Sequence, residues 1–229
     1  MNAASVLLKI FAFFLILTSC LILTSCLILT SCVPAPPIKA LRMQSAAVCP
    51  EVSPSEAFTT VHRIEMTRGR MGKTLVLGVV KALPRSAALH AALMTTEGMV
   101  IFEAKMEDGQ TEVLRALPPL DTPGFAEGLM ADVAFLFLPP LGPPAQRGLN
   151  EEGLPACRWN RKDGTLVETA FAPTGVARTR LYGRGGILLK EALAWPPFAR
   201  GLPARSRLRV FSPVDYMLDM TLIETERID

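Results

Sequence analysis

Tyr216 to Glu224 reads YMLDMTLIE, and Ser206 to Phe211, SRLRVF, precedes it across Ser212-Pro213-Val214-Asp215. Side chains of a strand alternate between faces, so Tyr216, Leu218, Met220 and Leu222 share one side, and Met217, Asp219, Thr221 and Ile223 share the other. One face is apolar and the other mixed, as in an antiparallel sheet curved round a greasy interior. The expected fold class is therefore mainly β (α+β): a curved antiparallel sheet or incomplete barrel.

Upstream segments carry the same signal. Thr60 to Thr67 alternates imperfectly, and Lys73 to Ala82 (KTLVLGVVKA) is β-branched and apolar, with Leu75, Leu77 and Val79 on one face. Leu89 to Thr96, Met99 to Met106 and Thr111 to Leu117 follow, separated by Glu97-Gly98 and Asp108-Gly109, the latter a favoured type I′ hairpin pair. Thr165 to Phe171 and Val176 to Tyr182 continue the series after a hairpin at Asp163-Gly164, and Ile187 to Leu193 fits either a strand or a short helix. The period changes once. Phe125, Leu129, Met130, Val133 and Phe137 recur every three or four residues, Thr122 can cap that helix with Pro123 at its first position, and Pro139-Pro140 ends it. Leu141 to Gly153 reads as a loop.

The chain has 229 residues, 50% hydrophobic and 20% charged, with 24 Lys+Arg against 21 Asp+Glu. This excludes a disordered tail, a collagen-like chain and a polytopic membrane protein, and a net charge of +3 is too mild to imply nucleic acid as a partner. Met1 to Cys32 differs from the rest: Lys9 is its one charge, and an apolar run follows. That is an export signal. The run ends in three identical hexapeptides, LILTSC, closing at Cys20, Cys26 and Cys32. Each resembles the lipobox of bacterial lipoproteins, whose cysteine is acylated after cleavage on its amino side. An uncleaved span is the alternative, since Ile10 to Cys32 supplies roughly 23 apolar or small residues and about 20 suffice to cross a bilayer. Cys32 is the favoured acceptor over Cys20 and Cys26, because Val33-Pro34-Ala35-Pro36-Pro37 after it is a stiff tether. The organisation expected is a signal segment over 1–32, a Pro-rich tether over 33–58 and a folded domain over 59–229. By the lipoprotein resemblance, the absence of Asp after each candidate cysteine implies an outer-membrane destination facing the periplasm.

Cys49 and Cys157 remain, an even number in an exported chain, and either a disulfide or two separate buried thiols fits them. No catalytic residue, metal set or cofactor site is expected. His62 and His90 lie on strands without a partner at ligand spacing, and HExxH, GxSxG and CxxC are all missing from the sequence. Gly69 to Thr74 (GRMGKT) lacks the leading glycine of a phosphate loop, Thr67 standing there instead, and Gly183-Arg184-Gly185-Gly186 lacks dinucleotide spacing. Arg178, Arg180, Arg184, Arg205, Arg207 and Arg209 read first as a solvated strand face, and second as contacts for anionic lipid. Met66, Met94, Met99, Met106, Met130, Met217 and Met220 fall in expected strands or the helix, where methionine fills irregular apolar space.

The order of elements, with LPPLDTPGFAEGLMADVAFLFLPP (Leu117 to Pro140) as the main helix, the Gly98 to Phe102 strand and VDYMLDMTLIETE (Val214 to Glu226) at the end, is similar to a family of bacterial lipoproteins with no assigned activity. Its members have a LolA/LolB-like fold and often lie near aryl polyene gene clusters. The resemblance spans about Met66 to Glu226. It implies an incomplete barrel whose mouth is covered by helices, and an apolar cavity for a membrane lipid or acylated cargo. Leu75, Leu77, Phe102, Phe125, Leu129, Val133, Leu218 and Met220 are the candidate lining, each equally suited to plain core. The expected function is non-catalytic binding or transfer of a lipid by an outer-membrane-anchored lipoprotein; the alternative is a filled-core interaction lipoprotein docking on an envelope protein partner.

Overall fold

The computed structural model describes residues 39–43, 49, 54–69, 72–199 and 201–228, within one compact unit running from Ile38 to Asp229. The export signal, lipidation at Cys20, Cys26 or Cys32 and the Val33 to Pro37 tether lie outside the described residues. Among the described residues no helix is long and apolar enough to cross a membrane.

Among the described residues thirteen strands form one sheet. They are β1 (Arg42–Met43), β2 (Phe58–Thr67), β3 (Lys73–Leu83), β4 (Ala88–Met94), β5 (Val100–Glu107), β6 (Gln110–Ala116), β7 (Gln146–Leu149), β8 (Pro155–Asn160), β9 (Leu166–Phe171), β10 (Ala177–Tyr182), β11 (Leu188–Ala199), β12 (Leu202–Val210) and β13 (Tyr216–Arg227). Their spatial order is β1-β7-β8-β9-β10-β11-β12-β13-β2-β3-β4-β5-β6. Two meanders, β2–β6 and β7–β13, are thus joined where β13 pairs antiparallel with β2, Met220 opposite Ile64. β1 and β6 remain as edges, so the sheet is open rather than a closed barrel. Asp108 and Gly109 both take positive φ, 50° and 76°, and close the β5–β6 hairpin as their type I′ signature requires.

Among the described residues one α-helix, α1 (Phe125–Phe137), crosses the concave side, where covering helices were expected. It begins later than the Thr122 cap implied. Gly124, in the left-handed region at φ 78°, is the residue before it, and the Phe125 N–H donates to the Thr122 carbonyl in the turn that leads in. Its carboxyl end falls before Pro139-Pro140 as expected, with the Leu138 N–H donating to the Ala134 carbonyl.

Two further expectations change. Leu188 to Leu193 belongs to a long strand, β11, paired with both β10 and β12, and Ile187 lies in the turn before it. The Leu141 to Gly153 loop contains β7, and the segment expected as tether is tied to the domain at several described points, its last residue, Phe58, opening β2. Arg42 and Met43 pair with Leu149 and Gly148; Leu41 is buried against Ala156 and Ala170; and Cys49 is disulfide-bonded to Cys157. Gly148 admits the close approach of β1, since a Cβ there would meet the Arg42 carbonyl oxygen at 2.1 Å. Such short strands carry too few residues for a periodic signal, and only their partners reveal them.

The outer face of β8–β12 is charged in register. Arg158 faces Glu168, Glu168 faces Arg180, Arg180 faces Glu191 and Glu191 faces Arg209 across successive strands. Arg180 pairs with Glu191 at 2.8 Å and Arg207 with Asp219 at 2.6 Å, while the Arg205 and Arg207 guanidinium groups lie over the Trp195 ring. The strand arginines therefore do lie on the outer face, but largely engaged by acids or aromatic rings.

Candidate functional site

The concave face is apolar because each strand contributes its inward set. Phe58, Val80, Ala82, Leu89 and Phe102 pack with Met130, Val133 and Phe137 of α1, and Val167, Leu181, Leu208 and Leu218 pack with Phe135. α1 spans both clusters, so its apolar residues run round most of its surface. Between helix and sheet is an apolar cleft with walls that include Ile64, Gly78, Leu93, Leu129, Leu136 and Met220. Its volume is about 40 Å³. That is space for a few waters and well below the roughly 300 Å³ at which ligand pockets begin.

Of the expected lining residues, Leu129, Val133, Leu218 and Met220 are brought together on this cleft. Phe102 and Phe125 lie beside it in solid core, edge to face with centroids 5.5 Å apart. Leu75 and Leu77 do not line it. On β3 the inward residues are Val80 and Ala82, both buried, with Gly78 on the cleft wall, whereas Leu75 is 40% exposed on the other side. Both parities of β3 are apolar, so its alternation could not say which side faced in.

Five residues of the site, Gly78, Asp132, Lys190, Tyr216 and His62, carried no motif. Gly78 makes room: a Cβ on it would meet Ile64 Cδ1 at 2.5 Å. Asp132, 1% exposed on α1, accepts hydrogen bonds from Lys190 Nζ of β11 at Oδ1 and from the Tyr216 hydroxyl of β13 at Oδ2. A lone acid in an apolar helix was the available signal, since a buried carboxylate needs partners. Burial, with the Asp132 carboxylate beside it, pushes the Tyr216 phenol well above its usual range. The phenol therefore stays a donor, and the three groups fasten the middle of α1 to the sheet.

His62, 2% exposed, lies on the cleft wall with its ring 5.4 Å from that of Phe137. Burial lowers its pKa from 6.5 to about 4, so the folded state holds it neutral. Because the folded value lies below the unfolded one, its contribution is intact above pH 6.5 and is lost as pH falls through about 4. The loss amounts to about 3 kcal/mol at most, at 1.36 kcal/mol per pH unit. Urea unfolding of the native chain and of His62→Leu between pH 7 and 4 reads this directly. The native chain should lose more stability than the variant over that window, and parallel curves would mean that the imidazole is solvated. His90 differs: on the outer face, its Nε2 lies 2.8 Å from Glu103 Oε1.

An open, curved antiparallel sheet with a helix across its concave side is the LolA-like class of fold. Among solved structures the chain is similar to a LolA superfamily protein from Nitrosomonas europaea, with a TM-score of 0.50 over 78% of this chain and 89% of that one, at 9% identity. At that identity the likeness is one of fold. No family model matches the sequence, and no curated protein does.

Proposed function

We propose that this protein is a non-catalytic envelope lipoprotein that holds an acyl chain between α1 and the concave face of its sheet. The observation that carries the reading is the cleft: an apolar gap, walled by Leu129, Val133, Leu218 and Met220, where a single helix separates a curved sheet from solvent. The LolA-like fold supports it, and a periplasmic setting agrees with the Cys49–Cys157 disulfide and the lipobox cysteines. Anchoring through Cys32, or through Cys20 or Cys26, would place the protein on the outer membrane facing the periplasm. Each methylene buried would contribute about 0.8 kcal/mol. With about 40 Å³ free, a chain enters only as α1 moves off the sheet, so Asp132 and its two donors set the cost of opening.

Gly78→Leu tests the reading without touching that fastening. The added side chain would push aside Ile64 Cδ1, the mobile end of a side chain, and occupy the gap. Mass spectrometry of organic extracts of the full chain, purified in parallel as native and variant, should find a lipid in molar proportion with the native protein that is missing from the variant. Equal, non-stoichiometric lipid in both would sink the carrier reading.

The narrowness of the cleft favours a second reading, an interaction lipoprotein with a filled core that docks on an envelope protein. Under it Gly78→Leu changes neither lipid content nor partner binding.

A further inference from the structure

Among the described residues β6 is the long free edge of the sheet: its outer side pairs with no strand, and β1 at the other end has two residues. Such an edge presents unpaired N–H and C=O groups and invites another strand. Val113 and Leu114 at its centre are 47% and 42% exposed, flanked by the exposed Glu112 and Arg115. Arg115 Nη1 is 3.5 Å from the Val100 carbonyl, a long contact that leaves the guanidinium at the surface.

Register decides which strand fits. Thr111 faces Met106, Glu112 faces Lys105 and Val113 faces Ala104, but Arg115 faces Glu103 and Ala116 faces Phe102, so Leu114 is an extra residue, a β-bulge. Phe102 and Ala104 are buried in the core, which puts Thr111 and Ala116 on the concave face and Glu112 and Arg115 together on the convex one. In a regular strand residues three apart point to opposite faces, and the bulge is what brings these two into phase. The backbone has the same symmetry. Gln110 closes the two-residue Asp108-Gly109 turn against Glu107, and the Leu117 N–H donates to the Ile101 carbonyl. By alternation Glu112 and Arg115 turn their amides to β5, while Thr111 and Ala116 turn theirs to the free edge.

We propose that β6 pairs antiparallel with β6 of a second copy of this chain, about a two-fold axis between Val113 and Leu114. Glu112 then lies opposite Arg115 of the second copy, Val113 opposite Leu114 and Thr111 opposite Ala116, each twice, with faces and free amides matched. Across four strands the convex charges alternate in sign: Lys105 and Glu112 of one copy, then Arg115 and Glu103 of the other. Moving one copy by one residue breaks the match of faces, and moving it by two removes both charge pairs. The edge thus selects itself over an unrelated strand, and because the contact is isologous it closes at two copies.

Whether the cleft takes cargo does not bear on this pairing, and the test reads mass rather than lipid. Light scattering, with the detergent mass subtracted, is applied to the full chain in an excess of micelles over a wide range of protein concentration. The native chain should pass from monomer to dimer as concentration rises. Glu112→Arg or Arg115→Glu alone sets like charges opposite each other twice and should weaken dimerisation about tenfold. An equimolar mixture of the two variants puts opposite charges back at both positions of the heterodimer and should regain most of the native affinity, which repair of either fold could not produce. Circular dichroism checks each fold, and Val113→Thr with Leu114→Thr, which removes the central apolar pairs but suits a strand, should also weaken the dimer. A native chain that stays monomeric throughout, or that grows past two copies, overturns the pairing. So does a dimer that the charge reversals or the threonine pair leave intact, or a mixture of reversed variants that fails to recover.

Discussion

Glu168→Ala is expected to destabilise the fold by about 4 kcal/mol, the range for removing one partner of a buried ion pair. The Arg158 and Glu168 side chains are 4% and 3% exposed, and two guanidinium nitrogens meet Glu168 Oε2, Nε at 2.7 Å and Nη2 at 2.6 Å. Deleting the carboxylate leaves a guanidinium buried with one remaining acceptor, the Lys39 carbonyl, to which Nη1 donates at 2.6 Å. Replacing both partners, Arg158→Met with Glu168→Leu, should recover most of the loss, because no charge is then stranded; the unpaired Lys39 carbonyl would still cost about 1 kcal/mol. Urea unfolding of the two single variants and the double variant measures the coupling. A loss below about 1 kcal/mol in Glu168→Ala would mean that water reaches the pair and that the segment over it is loosely held. Arg180–Glu191, two ladder steps further and more exposed, should be worth less when cut the same way.

Reducing the Cys49–Cys157 disulfide should cost a similar amount by a different route. The two residues are 108 apart in sequence, and opening a loop of that size returns entropy to the unfolded chain worth about 4 kcal/mol. For a unit of this size that corresponds to a fall in Tm of about 10 °C. Calorimetry with and without reductant reads the shift, and Cys157→Ala should show the lower Tm in both conditions. No shift on reduction would mean that residual structure already restrains the loop in the unfolded chain.

Local chemistry was enough to reveal much of the architecture. The β12–β13 pair, the Asp108-Gly109 hairpin and the helix ending before Pro139-Pro140 were legible because each depends on near neighbours: alternation, two residues of positive φ and a missing N–H. The site was half legible for the same reason. Leu129 and Val133 follow from helical spacing, and Leu218 and Met220 from a strand with one polar and one apolar face. Leu75 and Leu77 were misplaced because β3 is apolar on both faces, and His62 and Lys190 were missed because a lone basic residue on a strand does not say what lies opposite.

By itself, then, the sequence determined the class of fold and an apolar concave surface, and it sets the expectation of an export signal, since all of these are written in periods and motifs of a few residues. Tertiary structure alone decided the rest. It set which side of β3 faces in, joined β13 to β2 and Cys49 to Cys157, brought Lys190 and Tyr216 to Asp132, and narrowed the cleft to about 40 Å³ under α1. The physical reason is range. Contacts between residues dozens to more than a hundred positions apart depend on strand register and on how fully side chains fill the space between helix and sheet, and neither leaves a local pattern to read.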